Sequence, residues 1–100
     1  MKKKKHRIIQ IDGQEWIFGR DGKDCISYEY WPGTMFAAQA YKVEINFVDG
    51  IPKMSFFDWN EMVGGDWSEW TGPEDKIKEA LLDDATRQID KPRQLNLWKE

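Results

Sequence analysis

The segment YKVEINFV, residues 41–48, decides the fold class. Its odd-numbered positions are apolar, whereas Lys42, Glu44 and Asn46 are polar. This period of two is typical of a β-strand that has one face buried and the other in water. The dipeptide at 49–50 that follows, Asp-Gly, accepts positive φ and is typical of hairpin turns. The segment therefore predicts one strand of an antiparallel sheet.

Similar segments lie on both sides of this strand. Each is short, rich in Ile, Trp, Tyr or Phe, and bounded by Gly, Pro or Asp, which is the pattern of strands joined by tight turns. The predicted strands are residues 7–11, 15–20, 25–31 and 53–59. Residues 34–40 are compatible with a loop, a strand extension or one helical turn.

A helix is predicted from about residue 73 to residue 90. Ile77, Leu81, Ala85 and Ile89 recur at a spacing of four and form one apolar stripe. Thr71 and Glu74 have the spacing of a capping box at the helix start, and Pro92 requires the helix to end by residue 91. The sequence thus predicts an α+β domain, in which a meander of about five antiparallel strands is covered by one C-terminal helix and followed by a short tail.

The chain divides by charge and pattern into three parts, namely a basic flexible arm at 1–6, a single α+β domain at 7–90 and a C-terminal tail at 91–100. Five of its fifteen basic residues lie in the first seven positions, and residues 8–100 carry ten basic and eighteen acidic residues, a net charge of −8. A body this acidic argues against direct nucleic-acid binding. Cys25 is the single cysteine, and no stretch resembles a signal peptide or a membrane span, so we expect a cytoplasmic protein.

Residues suited to catalysis are few. The single histidine, His6, lies in the basic arm, and Cys25 has neither a second cysteine nor a fixed histidine near it in the sequence. The carboxylates of Asp58, Glu61, Asp66 and Glu69 would suit Mg²⁺, but their spacing matches no established site. We therefore expect no enzymatic activity, no cofactor and no metal site.

The tail contains the string Gln94-Leu95-Asn96-Leu97-Trp98. It resembles the peptide motif by which bacterial replication and repair proteins bind the β sliding clamp of the replicative DNA polymerase. The resemblance implies that the Gln94 amide forms a hydrogen bond at one subsite, that Leu95 enters an apolar groove, and that Leu97 and Trp98 fill a deeper pocket. Trp98 departs from the more common Phe but keeps the aromatic character.

The same five residues have a structural alternative. Leu95, Leu97 and Trp98 alternate with Gln94 and Asn96 at the period of a strand. They would then pair with an edge of the sheet or pack against the domain.

A second candidate binding surface lies in residues 58–75, DWNEMVGGDWSEWTGPED, which contain six acidic residues, three tryptophans and no basic residue. Such a surface is suited to the basic groove of a nucleic-acid enzyme, with carboxylates in place of phosphates. We select Asp66, Trp67, Glu69 and Trp70 from it. The structural alternative assigns the acidic residues to the helix dipole and solvated loops, and Trp59 with Trp67 or Trp70 to the core.

These features predict a non-enzymatic bacterial or phage interaction protein that binds the sliding clamp, to recruit or inhibit replication or repair factors. The alternative function is a small phage-type inhibitor, of the anti-restriction or anti-CRISPR class, that binds a nucleic-acid enzyme of host defence through the acidic surface. A third hypothesis is nucleic-acid binding by the basic arm together with Trp16 or Tyr28.

Overall fold

A computed structural model of the chain describes residues 7–20, 22–32, 39–60 and 66–90. Within these residues lie six strands and one helix. The strands are β1 (Ile8–Ile11), β2 (Gln14–Arg20), β3 (Cys25–Tyr30), β4 (Gln39–Val48), β5 (Ile51–Asn60) and β6 (Trp67–Glu69), and the helix is α1 (Asp75–Ile89).

The strands form one antiparallel sheet in the order β1-β2-β3-β4-β5-β6, so each strand pairs with its neighbour in the sequence. The predicted meander covered by a C-terminal helix is confirmed. The turn at Asp49-Gly50 has positive φ at both residues, of 53° and 80°, as the hairpin prediction requires. Of the segment left open at 34–40, Gln39 and Ala40 extend β4, and residues 34–38 lie outside the described part of the chain.

One face of the sheet packs against α1. The buried side chains of β2, β3 and β4 form a core cluster with the apolar stripe of the helix. The predicted strand face is confirmed, since Val43 and Ile45 are both completely buried. The buried residues of this core cluster are Trp16, Phe18, Ile26, Tyr28, Val43, Ile45, Ile77, Leu81 and Ala85.

The start of the helix differs from the prediction. Glu74 is the N-cap residue, its side chain forms no capping hydrogen bond, and α1 begins at Asp75. The capping box of Thr71 and Glu74 is therefore wrong. Sheet pairing explains the difference, because the Trp70 amide still donates to the Phe56 carbonyl (3.0 Å) and Gly72 then turns the chain at a φ of 101°.

The other end of the helix is fixed by a strand residue. Arg20, at the end of β2, donates from Nη1 to the Gln88 carbonyl (3.2 Å) and from Nη2 to the Ile89 carbonyl (3.5 Å). A cation at the C-terminus also interacts favourably with the helix dipole. In the described residues, no helix is long and apolar enough to cross a membrane.

Candidate functional site

The predicted clamp-binding residues Gln94, Leu95, Leu97 and Trp98 lie outside the described residues. The helix before them ends at Ile89, with Asp90 as its C-cap residue. The clamp motif therefore stays a prediction from sequence.

The structure separates the residues of the predicted acidic, Trp-rich surface. Trp67 and Glu69 lie opposite Trp59 and Phe57 of β5, on the sheet face that α1 does not cover. Trp70 lies on the helix side, where its ring is 4.6 Å from that of Tyr41. Trp70 therefore lies on the opposite sheet face from Trp67 and Glu69, because successive side chains of a strand point to opposite faces, and the binding role of these residues stays a prediction.

We name the sheet face that α1 leaves uncovered the open face. The four exposed large apolar side chains in the described part of the chain are Ile8, Trp31, Val48 and Ile51. The strand registers assign three of them to this face, since Ile8 pairs with Ile17 and Val48 with Ile51, each on the side opposite the core residues. Trp31 lies on the same face, because its ring contacts those of Trp59 and Trp67. Exposed apolar groups are thus concentrated on one side of the molecule.

Tryptophans form a cluster at one end of the open face. The Trp31 ring lies 5.7 Å from Trp59 and 6.3 Å from Trp67, measured between ring centroids. Ala40, which pairs with Trp59, is completely buried among them although it lies on the same face. The sequence alternative placed Trp59 in the core, but it belongs to this second apolar layer.

A lysine ammonium lies against the rings of this layer. Lys42 Nζ is 4.6 Å from the Trp67 ring centroid and 5.6 Å from that of Phe57. The same nitrogen lies 3.4 Å from a carboxylate oxygen of Glu44. The open face thus already holds one cation between aromatic rings and a carboxylate, which is a favourable arrangement for an ammonium group.

Next to Trp31, between β1, β2 and the end of β3, is a depression of about 330 Å³. It is lined by Ile8, Ile17, Tyr30 and Trp31 together with Gln10, Gly13 and Glu15, and the Gln10 amide donates to the Glu15 carboxylate at 3.1 Å. Glu29 lies opposite Ile17 in the strand register and accepts a hydrogen bond from the Trp31 indole N–H at 3.0 Å. Sequence reasoning missed this depression, because its residues come from three strands and include no recognisable motif.

A buried ion pair connects the start of β1 to the helix, and sequence reasoning missed it as well. Asp84 is 3% exposed and accepts hydrogen bonds from Arg7 Nη1 (2.8 Å), Arg7 Nη2 (2.6 Å) and the Tyr28 hydroxyl (2.6 Å). The only available signal was a carboxylate one residue before Ala85 of the apolar stripe. Arg7 binds Asp84 through two parallel hydrogen bonds, which is the geometry of a strong ion pair.

These contacts shift the acid–base equilibria of the cluster, and the hydrogen bond to Asp84 also raises the pKa of Arg7. Burial alone would raise the pKa of Asp84, but hydrogen bonds from Arg7 and Tyr28 outweigh it and hold this pKa below its usual value. Burial, reinforced by the hydrogen bond to Asp84, raises the pKa of Tyr28. The carboxylate is thus held ionised and the phenol protonated, a fixed arrangement that suits a structural role.

The structure also bears on the residues considered for nucleic-acid binding and for metal binding. Trp16 and Tyr28 are 1% and 0% exposed, so the hypothesis that one of them binds nucleic acid together with the basic arm is wrong. Among residues 7–20, 22–32, 39–60 and 66–90, no group of three His, Cys, Asp or Glu side chains is placed to hold a metal ion. His6 and Glu61 lie outside these ranges, and Cys25 is half-buried.

In comparisons with known proteins, no protein-family model, no curated protein and no solved structure matches this chain.

Proposed function

We propose that this protein is a non-enzymatic interaction module that binds the bacterial DNA sliding clamp through Gln94, Leu95, Leu97 and Trp98. The observation that carries the proposal is the string at 94–98, in which an amide, two leucines and an aromatic residue have the order and spacing of clamp-binding peptides. Its position supports the proposal, because only four residues, 90–93, separate the helix end at Ile89 from Gln94. The setting would be the cytoplasm of a bacterium or of a phage-infected cell.

The expected affinity follows from three side chains. Burial of Leu95, Leu97 and Trp98 in a groove of the clamp contributes roughly 1.5–3 kcal/mol each. Ordering the peptide and losing rigid-body freedom oppose this gain. Together the three side chains contribute about 9 kcal/mol at most, so after these costs the affinity is micromolar at best, a limit of about −8 kcal/mol. Exchange with other clamp-binding proteins would then be rapid, as recruitment or inhibition of replication and repair factors requires.

Calorimetric titration of the full chain with purified β clamp tests the proposal. The unmodified protein should bind with micromolar affinity, whereas the double variant Leu97→Ala/Trp98→Ala should lose detectable heat. Asn96→Ala is the matched control, because position 96 has no assigned contact in the motif, and it should bind as the unmodified protein does. If the unmodified protein produces no heat, or if the double variant binds equally well, clamp docking is rejected.

We also propose a second function, favoured by the placement of Trp67 and Glu69 on the open face and by the exposure of Asp66, which directly precedes Trp67. The protein would be a phage-type inhibitor, of the anti-restriction or anti-CRISPR class, whose carboxylates and Trp67 bind the basic groove of a nucleic-acid enzyme. Electrostatic attraction supplies much of the affinity in such grooves. Trp70 packs against Tyr41 on the helix side, so Trp67 and the carboxylates carry this proposal.

Cleavage assays with a purified RNA-guided nuclease and a purified type I restriction enzyme test this second function. A stoichiometric excess of the protein should inhibit one of them, and Asp66→Lys/Glu69→Lys should abolish the inhibition. Asp24→Lys/Glu79→Lys reverses the same amount of charge at exposed positions elsewhere and should leave inhibition intact. Inhibition of neither enzyme, or equal inhibition by both variants, counts against this class of partner.

A further inference from the structure

The depression next to Trp31 has the chemistry of a site for one long cationic side chain. Its walls are the aliphatic groups of Ile8 and Ile17 and the Trp31 ring, and Glu15 borders it. Lys and Arg combine an apolar stem with a charged head, so they bury the stem on apolar surface while the head stays at a polar rim. A depression of about 330 Å³ has room for one such side chain.

The open face itself shows how a cation is held there. Lys42 lies over the rings of Trp67 and Phe57 with its ammonium 3.4 Å from Glu44. Trp31 presents the same combination, because its ring is 49% exposed and its indole N–H is bonded to the Glu29 carboxylate. A cation over an exposed aromatic ring is attracted by the electrons of the ring face, and a carboxylate nearby adds to this attraction.

Charge decides the kind of occupant. Glu15 lines the depression, where its carboxylate also accepts a hydrogen bond from Gln10, and Glu29 lies beside it through its bond to the Trp31 indole N–H. Lys42, opposite Glu29 in the strand register, is engaged by Glu44. A second copy would bring two acidic surfaces together, because residues 8–100 carry a net charge of −8, so a basic partner segment fits better.

We infer that the depression between Ile8, Ile17 and Trp31 receives a Lys or Arg side chain from a short segment of a partner protein. Glu15 and Glu29 neutralise its charge, and neighbouring apolar residues of that segment contact Ile8 and Trp31. The inference involves no residue of the clamp motif and neither Asp66 nor Glu69, so it can fail or succeed independently of both proposed functions.

Three synthetic pentapeptides with blocked ends probe the site, namely Gly-Leu-X-Leu-Gly with Lys, norleucine or Glu at X. Norleucine has the length of the lysine stem without its charge. NMR titration follows the Trp31 indole N–H and the methyl groups of Ile8 and Ile17. The Lys peptide should shift these signals with a dissociation constant near 1 mM, about −4 kcal/mol, whereas the norleucine and Glu peptides should bind at least about five-fold more weakly.

Variants of the full chain connect the signal to the site. Trp31→Ala and Glu15→Gln/Glu29→Gln should each weaken binding of the Lys peptide about five-fold at about 20 mM salt. Val48→Ala/Ile51→Ala is the matched control, because it removes exposed apolar groups from the same face at the distant hairpin, and it should change nothing.

Three results would overturn the inference. The first is equal binding of the norleucine and Lys peptides, which would make the site merely apolar. The second is unchanged binding to the Trp31→Ala variant. The third is a shift of the Trp31 and Ile8 signals in Leu97→Ala/Trp98→Ala without any peptide, which would identify the chain's own tail as the occupant.

Discussion

Asp84→Ala should destabilise the domain more than any charge substitution on its surface. The change removes the acceptor of three hydrogen bonds and leaves the Arg7 guanidinium and the buried Tyr28 hydroxyl without it. Breaking a buried ion pair from one side costs about 3–5 kcal/mol, and an unsatisfied buried hydroxyl about 1–3 kcal/mol. The Arg7 side chain is 32% exposed and regains part of its hydration, so we expect a total loss of about 3 kcal/mol.

Urea denaturation followed by tryptophan fluorescence measures this loss, because Trp16 lies in the core and is exposed to water on unfolding. Asp83→Ala is the matched control. Asp83 precedes Asp84 on the same helix, is exposed and pairs with Arg87 at the surface, so its loss should cost less than about 0.5 kcal/mol. A cost below about 1 kcal/mol for Asp84→Ala, or equal costs for the two variants, would refute the assigned role of the buried pair.

Three further outcomes follow from the structure. Because folding lowers the pKa of Asp84, its contribution to the free energy of unfolding is complete above the pKa of the unfolded chain, near 4, and is lost as pH falls further. Urea denaturation at a series of acid pH values should show this loss in the unmodified protein and not in Asp84→Asn. Gly72→Ala should lower the free energy of unfolding by about 1–3 kcal/mol in urea, since φ is 101° and the added Cβ would lie 3.0 Å from Phe56; an unchanged midpoint would contradict the turn geometry. Leu81→Ala should cost about 2–5 kcal/mol and lower the thermal midpoint, because Leu81 is completely buried, and a cost under about 1 kcal/mol would place it outside the core.

The sequence was sufficient for the elements whose patterns are local. Alternation in residues 41–48, the Asp-Gly turns and the stripe from Ile77 to Ile89 predicted strand, hairpin and helix correctly. These signals depend on neighbouring residues, so one sequence contains them in full. The three-residue strand β6 was missed because its residues, Trp67–Glu69, are too few for a periodic pattern.

The site required information that only the fold supplies. Arg7 and Asp84 are 77 positions apart, and no local pattern connects them. The sequence alone did not separate Trp67 from Trp70. The pairing of β6 with β5 assigns Trp67 to the open face, and the contact between Trp70 and Tyr41 places Trp70 on the helix side. The depression at Trp31 likewise exists only where three strands lie side by side.

The sequential order of the strands has a consequence for folding kinetics. Every strand partner is the next strand along the chain, so each hairpin closes a short loop and the sheet can grow from any of them. The Arg7–Asp84 pair, by contrast, connects the two ends of the described domain and gains nothing until both the sheet and α1 are in place. We therefore expect Asp84→Ala to accelerate unfolding and leave the refolding rate nearly unchanged, with a φ-value close to zero in stopped-flow measurements. The ion pair would then form after the folding transition state and break before it during unfolding. It would stabilise the native state by slowing unfolding.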